Sequence, residues 1–151
     1  MSVRALGPAD AERMAAIHAA SFDKPWPALD MAVHAARDLC LGADVCGTLV
    51  SFAVLRRSDV DAEVLTVATD PAARGRGAAG RVLAEARERL CAQGLRHIFL
   101  EVAEDNASAK ALYDRLGFRP IGRRPGYYRR PGGRMAAVTY SLVLDADRAP
   151  D

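Results

Sequence analysis

The junction at Thr66–Arg81 restricts the fold more than any other part of the chain. A β-branched run ends at Thr69, Asp70-Pro71 turns it, and Ala72-Ala73-Arg74-Gly75-Arg76-Gly77-Ala78-Ala79-Gly80-Arg81 opens straight into a helical pattern. The first amides of a helix have no intrahelical acceptor, and the positive end of the helix dipole lies with them. Glycines let an anion come close to that backbone, while Arg74, Arg76 and Arg81 bring full positive charges. Together they predict a cradle for a pyrophosphate.

The same letters admit three parses. Gly75-x-Gly77-x-x-Gly80 satisfies the dinucleotide fingerprint, with Glu101 at about the distance of a ribose-binding acid. That fingerprint needs its first glycine in the turn directly after the strand, whereas Asp70 to Arg74 intervene here. The rest of the chain also lacks the repeated strand–helix units of a doubly wound sheet. The second parse is Arg74-x-x-Gly77-x-Ala79. The third is an ordinary turn without a ligand, because short glycine motifs are weak evidence.

A chain of 151 residues is long enough for one domain with a real core. Hydrophobic residues make up 50%, charged residues 26%, and the net charge is +2, the profile of a soluble globular protein. The charge is uneven: Arg119 to Arg134 contains six arginines and no acid, which reads either as a surface for an acidic partner or as a solvated rim. No apolar run approaches the roughly 20 residues that span a bilayer, and the N-terminus lacks the regions of a signal peptide. The expectation is a cytoplasmic protein with no membrane and no direct nucleic-acid contact. Cys40, Cys46 and Cys91 are odd in number and form no C-x-x-C, and the histidines have no ligand spacing with them. Free buried thiols are expected, with neither disulfide nor metal.

In chain order, Val3–Leu6 reads as a strand and Gly7 to Ala20 as a helix start and helix, with Met14, Ile17 and Ala20 on one face. Ser21–Pro27 breaks it with two prolines around Trp26. A helix from Ala28 to Arg37 carries Leu29, Val33 and Ala36 on its apolar side. Asp38–Val45 and Thr48–Leu55 form a hairpin across Cys46-Gly47, Arg56 to Asp59 a turn, and Asp61–Thr69 the next strand. A helix from Gly77 to Gln93 stops at Gly94, with Leu83, Ala86 and Leu90 inward. His97–Val102 is a strand, Asn106 caps a helix from Ala107 to Leu116, and Gly117 ends it. Phe118 to Gly122 begins a sixth strand, Gly126-Tyr127-Tyr128 and Pro131-Gly132-Gly133 form an exposed loop, and Met135–Leu144 is the last strand. The chain is expected to be a single domain over 1–146 with a frayed tail at 147–151. This order predicts a mixed α/β fold, a sheet with helices on both faces.

Asn106-x-x-Ala109-x-x-Leu112-Tyr113-x-x-x-Gly117-Phe118 resembles the C-terminal signature of the GCN5-related N-acetyltransferases. Arg74-x-x-Gly77-x-Ala79 is similar to their acetyl-CoA loop. Within that superfamily, Phe22-x-x-Pro25-Trp26, Leu100-Glu101-Val102 and Gly122-Arg123-Arg124-x-Gly126-Tyr127-Tyr128 resemble the bacterial ribosomal-protein-alanine N-acetyltransferases. The resemblance implies a mostly antiparallel seven-stranded sheet, splayed between the fourth and fifth strands to admit the thioester of acetyl-CoA. It assigns Val67, Ala68 and Thr69 to the pantetheine arm, with an N–H there, such as Val67's, polarising the acetyl carbonyl. Arg74, Gly75, Arg76, Gly77, Ala78, Ala79, Gly80 and Arg81 would hold the pyrophosphate, and Asn106 would contact the coenzyme. Glu101 would be the base and Tyr113 the acid, with Trp26, Tyr127 and Tyr128 toward the acceptor. The implied acceptor is a protein N-terminus, such as a ribosomal protein's. The chain departs from the pattern at two places: Ala79 replaces the commoner glycine, and Met135-Ala136-Ala137 stands where the subfamily places an acidic pair.

The chemistry asks for these residue types independently. An α-amine has a pKa of about 8 and must lose a proton before it attacks a thioester. A carboxylate near the strand splay can collect that proton, directly or through water. A phenol with a pKa of about 10 stays protonated and can supply the departing thiolate. Each residue also has a plain structural reading. Glu101 can be a solvated strand end, Tyr113 a core aromatic, Asn106 an N-cap, Trp26 a core plug, and Tyr127 and Tyr128 a cover for the sheet edge. A small-molecule amine, amino acid or antibiotic as acceptor, an acyl-CoA-sensing module without catalysis, and a dinucleotide binder are the competing functions.

Overall fold

The structure, a computed structural model, describes residues 1–145. The expected tail at 147–151 lies outside the described residues, as does residue 146. Strands β1 (Ser2–Ala5), β2 (Leu39–Val45), β3 (Thr48–Ser58), β4 (Asp61–Thr69), β5 (His97–Ala103), β6 (Arg119–Arg130) and β7 (Gly133–Val143) form one sheet. Helices are α1 (Ala11–Ala19), α2 (Ala28–Arg37), α3 (Ala78–Ala92) and α4 (Ala107–Arg115), with one-turn 3-10 segments at Pro8–Asp10 and Pro71–Ala73. The sheet order is β1-β2-β3-β4-β5-β7-β6, and every neighbouring pair is antiparallel except β4–β5. A single parallel pair leaves no doubly wound sheet, so the dinucleotide parse has no scaffold.

Two apolar layers hold the helices. Val82, Leu83, Ala86 and Leu90 of α3 and Tyr113 of α4 pack with Leu55, Val64, Leu100 and Leu142 on one face. Met14 and Ile17 of α1 and Met31 of α2 pack with Cys40, Phe52 and Val54 on the other. Burying a side chain such as Phe52 stabilises the fold by roughly 1.5–3 kcal/mol. The β2–β3 hairpin turns at Cys46-Gly47 with φ of 51° and 78°, the geometry that matches strand twist. Cys40 is buried as expected, but Cys46 is exposed at that turn and Cys91 half-buried.

Other local expectations fail too: Ala20, expected on the inward face of α1, is exposed just past the helix end at Ala19. Leu29 and Val33 of α2 are 82% and 50% exposed, and Met31 is the residue inside. The helix is turned so that His34 stacks on Trp26, ring centroids 4.8 Å apart, and contacts Asp38 at 2.7 Å. β3 runs through Arg56 and Arg57 to Ser58, because Arg56↔Glu63, Arg57↔Ala62 and Ser58↔Asp61 continue the ladder and the turn shifts to Asp59-Val60. β6 extends far beyond Gly122, so Gly126-Tyr127-Tyr128 lies within a strand and not in a loop. Pairing with β7 lapses after Arg124↔Ala137 and resumes at Tyr128↔Met135. Gly126, at φ 66°, absorbs the interruption.

Candidate active site

β4 and β5 pair only through Asp61↔His97, Ala62↔Ile98 and Glu63↔Phe99. Both strands continue, to Thr69 and Ala103, with no further pairing between them. The cause is visible in β4: Val54↔Thr66 and Leu55↔Val64 leave Leu65 as an extra residue, and such a bulge bends its strand. A crevice opens beyond it. The Asp70 N–H bonds Val50 O at 2.7 Å, pointing toward β3. Backbone groups alternate along a strand, so Val67 and Thr69 turn theirs toward the crevice and Ala68 toward β3. Ala68 O accordingly accepts from Ser51 Oγ at 3.1 Å.

The glycine- and arginine-rich turn follows the end of β4. The Asp70 carboxylate accepts from Ala72 N–H at 3.0 Å and from the Arg13 guanidinium at 2.7 Å. These donors, the backbone amide first, hold its pKa below the usual carboxylate range. Gly75 and Gly77 both sit at φ 79°, and a Cβ on either would meet nothing within 4 Å. Arg81 N–H is bonded to Gly77 O at 3.1 Å, whereas the amides of Ala78, Ala79 and Gly80 precede any intrahelical acceptor. Gly80 serves packing as well, because its Cβ would stand 3.4 Å from Leu112 of α4. Arg74 and Arg76 are exposed, and Arg74 donates to Ser21 Oγ at 3.0 Å. Arg81 lines a shallow depression with Val3, Ala84, Glu85 and Glu88, one turn into α3.

Past the end of β5, the exposed Asn106 caps α4: its Oδ1 accepts from Ala109 N–H at 3.2 Å and Ser108 Oγ at 3.3 Å. Ile98, Leu100 and Val102 enter the core under α3 and α4, so alternation turns Glu101 to the opposite face. Glu101 Oε1 lies 3.0 Å from an Arg124 nitrogen. The Arg124 guanidinium also sits over the Tyr127 ring at 5.2 Å, and Tyr127 meets Tyr128 edge-on at 5.1 Å. Tyr113 is buried from the α4 side against Phe118 and Tyr140. Burial, with Tyr128 adding to it, pushes its phenol up to about 12. Burial, Glu101 and Tyr127 raise Tyr128 likewise, with Arg130 opposing. Glu101 and Tyr113 thus lie on opposite faces of the sheet, with Glu101 acting on Tyr128 and Tyr128 on Tyr113.

Sequence reading missed His18. It is 2% exposed, accepts Trp26 N–H at Nδ1 (3.1 Å), and therefore carries its neutral proton on Nε2, which donates to Thr66 Oγ1 at 3.1 Å. Phe22 and Trp26 stack on it at 4.2 and 5.1 Å. The ring joins the α1–α2 loop to the bulged part of β4, and Trp26 packs on the core beside it. Its place one residue after Ile17 on the inward stripe was the available signal. His18→Gln is expected to destabilise the fold by about 1–3 kcal/mol at neutral pH, the range for stranded buried partners. Burial lowers the His18 pKa, so the fold favours the neutral ring. That contribution is complete above the unfolded value of about 6.5 and is lost as pH falls through the lower folded value. Melting curves should show the gap between the two proteins narrowing from neutral toward acidic pH; a constant gap would refute the linkage.

No group of His, Cys, Asp or Glu among the described residues could hold a metal ion, and none of their helices is long and apolar enough to cross a membrane. The model of the acetyltransferase (GNAT) family matches residues 11–118. The chain belongs to the GNAT acetyltransferase family. Among similar proteins, the N-alpha-acetyltransferase RimI of Mycobacterium tuberculosis is 37% identical over 97% of this chain and 93% of its own. An uncharacterized Mycobacterium leprae protein is 41% identical over 84% of this chain, which spans only 37% of that longer relative. The crystal structure of the ribosomal-protein-S18-alanine N-acetyltransferase from Escherichia coli superposes with a TM-score of 0.88 at 26% identity, covering 95% of this chain and 93% of that one. The seven-stranded, mostly antiparallel sheet with helices on both faces is therefore the GNAT fold.

Proposed function

We propose that this GNAT protein transfers the acetyl group of acetyl-CoA to the α-amine of a protein N-terminus, with a ribosomal protein's terminal alanine as first candidate. The observation that carries the proposal is the parting of β4 from β5 after Glu63↔Phe99, with Glu101 on β5 facing away from the core layer that holds Tyr113. Relatives named for N-terminal and ribosomal-protein acetylation support it. Open backbone at Gly75 and Gly77 and the free amides of Ala78, Ala79 and Gly80 fit a pyrophosphate, with Arg74, Arg76 and Arg81 supplying charge. The Asn106 amide nitrogen stands ready for the same coenzyme. When bound, the coenzyme supplies an acetyl thioester.

The chain's own residues then divide the work. Val67 directs an N–H toward the crevice, where it can stabilise charge on the acetyl oxygen. Glu101 takes a proton from the arriving ammonium, so the neutral nitrogen can form its bond to the acetyl carbon as the carbon–sulfur bond breaks. Tyr113 gives its phenolic proton to the sulfur, and the second proton that the nitrogen sheds as the amide forms restores the phenol through solvent. With a pKa near 12 it remains protonated at neutral pH and yields that proton only as negative charge builds on the sulfur. Trp26, Tyr127 and Tyr128 border the acceptor side. Most of the acceleration comes from holding both substrates aligned.

A panel of N-terminal hexapeptides with acetyl-CoA, read by free-thiol release, tests the proposal. Alanine-first peptides should turn over well above small amines; turnover of small amines alone would refute the peptide assignment. Coenzyme A, unlike NAD, should raise the melting temperature. A small-molecule acceptor is the second reading. Met135-Ala136-Ala137 favours it, because the start of β7 offers no carboxylate to a cationic protein terminus.

A further inference from the structure

We propose that Arg124 occupies the acceptor's ammonium site in the free enzyme, as an internal cation that each incoming amine must displace. The inference rests on the reading of Glu101 as the group that receives the amine. Two kinds of cation recogniser converge on this one guanidinium: the Glu101 carboxylate at 3.0 Å and the Tyr127 ring face at 5.2 Å. A carboxylate joined to an aromatic face is the environment that binds organic cations, ammonium included. Tyr128 completes an electron-rich cluster, standing edge-on to Tyr127 and close enough to Glu101 for that charge to oppose its ionisation.

The neighbouring arginines are otherwise engaged. Arg123 binds Glu104 through two nitrogens, and Arg130 reaches Asp105 at 3.4 Å while lying over the Tyr128 ring. Arg124 is thus the cation that Glu101 holds among the described residues.

The geometry also makes Arg124 displaceable. Its side chain is 61% exposed, against 22% for Glu101, and exposed ion pairs contribute little. Arg124 approaches Glu101 through a terminal guanidinium nitrogen at 3.0 Å, whereas Arg123 joins Glu104 through two nitrogens. Arg124↔Ala137 is the last paired position before the β6 ladder lapses, so the side chain hangs at the edge of an unpaired stretch. A protonated amine that also fills the cleft can take its place, and Arg124 can swing into solvent. Acceptors are thereby selected: an amine without enough flanking contact fails to outcompete the resident cation, which sharpens preference for a peptide over a bare small amine.

The test compares wild type, Arg124→Ala and Arg124→Lys on an alanine-first hexapeptide. Thiol release gives KM and kcat, and calorimetry gives the peptide's Kd in the presence of coenzyme A. Displacement predicts that Arg124→Ala lowers KM and Kd about 3–10-fold, with the gain in affinity rather than kcat, and that Arg124→Lys lies between. The N-acetylated peptide, which has no cation, should bind wild type and Arg124→Ala equally. If Arg124 instead positions Glu101 for proton transfer, Arg124→Ala will raise KM or cut kcat, and the inference falls. Unchanged KM and Kd overturn it as well. Should wild type turn over no peptide, the proposed function fails on its own terms, while the calorimetric comparison still decides whether Arg124 competes with the amine. Equal melting temperatures for the variants guard against misfolding.

Discussion

Glu101→Gln is expected to lower kcat about 10²–10³-fold while leaving coenzyme affinity intact, the scale of a lost general base. The amide keeps the size and hydrogen-bonding reach of the carboxylate but cannot carry away the amine's proton. Glu101 sits on β5 and faces away from the core layer that holds Tyr113, whereas the glycine-rich turn proposed for the coenzyme leads from β4 into α3. Calorimetric titration with coenzyme A should therefore match wild type. Activity of the variant should recover in part at higher pH, where more of the acceptor is already neutral given an α-amine pKa of about 8. The same substitution removes the negative partner of Arg124. Combining it with Arg124→Ala should then give no further gain in peptide affinity, because the competition depends on the carboxylate. Wild-type turnover by Glu101→Gln would strip Glu101 of the role.

How far the sequence could be read depends on how local each feature is. The glycine- and arginine-rich junction was legible because helix-start chemistry and glycine conformation act within a few residues. The order of seven strands and four helices followed from apolar periodicity for the same reason. The parting of β4 and β5 came from resemblance; its physical origin, the extra residue Leu65, shows only in the register against β3. β6 was cut short because Pro125 and Gly126 look like loop punctuation, whereas the ladder to β7 steps over them. The buried face of α2 is not the one that hydrophobic spacing points to, because His34 stacks on Trp26, a contact that spacing cannot reveal. The arginine-rich segment lacks acids in sequence, yet Glu101, Glu104 and Asp105 are brought beside Arg124, Arg123 and Arg130 by the β5–β7–β6 order. Half of that segment's apparent excess charge is thus met within the chain, which weakens the case for an acidic partner.

Tyr113→Phe should reduce kcat about 10²-fold or more with little loss of stability. Only the phenolic oxygen is removed. The ring's packing against Phe118 and Tyr140, at centroid distances of 5.7 and 6.2 Å, survives in phenylalanine. If Tyr113 were merely a core aromatic, the substitution would leave turnover untouched, so kinetics and melting temperature separate the two readings. Because burial pushes the phenol to about 12, it stays protonated across the working range. The wild-type rate should then show no alkaline decline from Tyr113 below pH of about 11. Proton delivery to sulfur also predicts a solvent deuterium effect on kcat that shrinks in Tyr113→Phe, since the variant must expel an unprotonated thiolate or borrow a proton from water. A variant that keeps both its rate and its isotope effect would place the proton donor elsewhere. The alternative is Tyr128, whose ionisation Glu101 opposes and which adds to the rise at Tyr113. Tyr128→Phe in the same assay would then carry the loss that Tyr113→Phe did not.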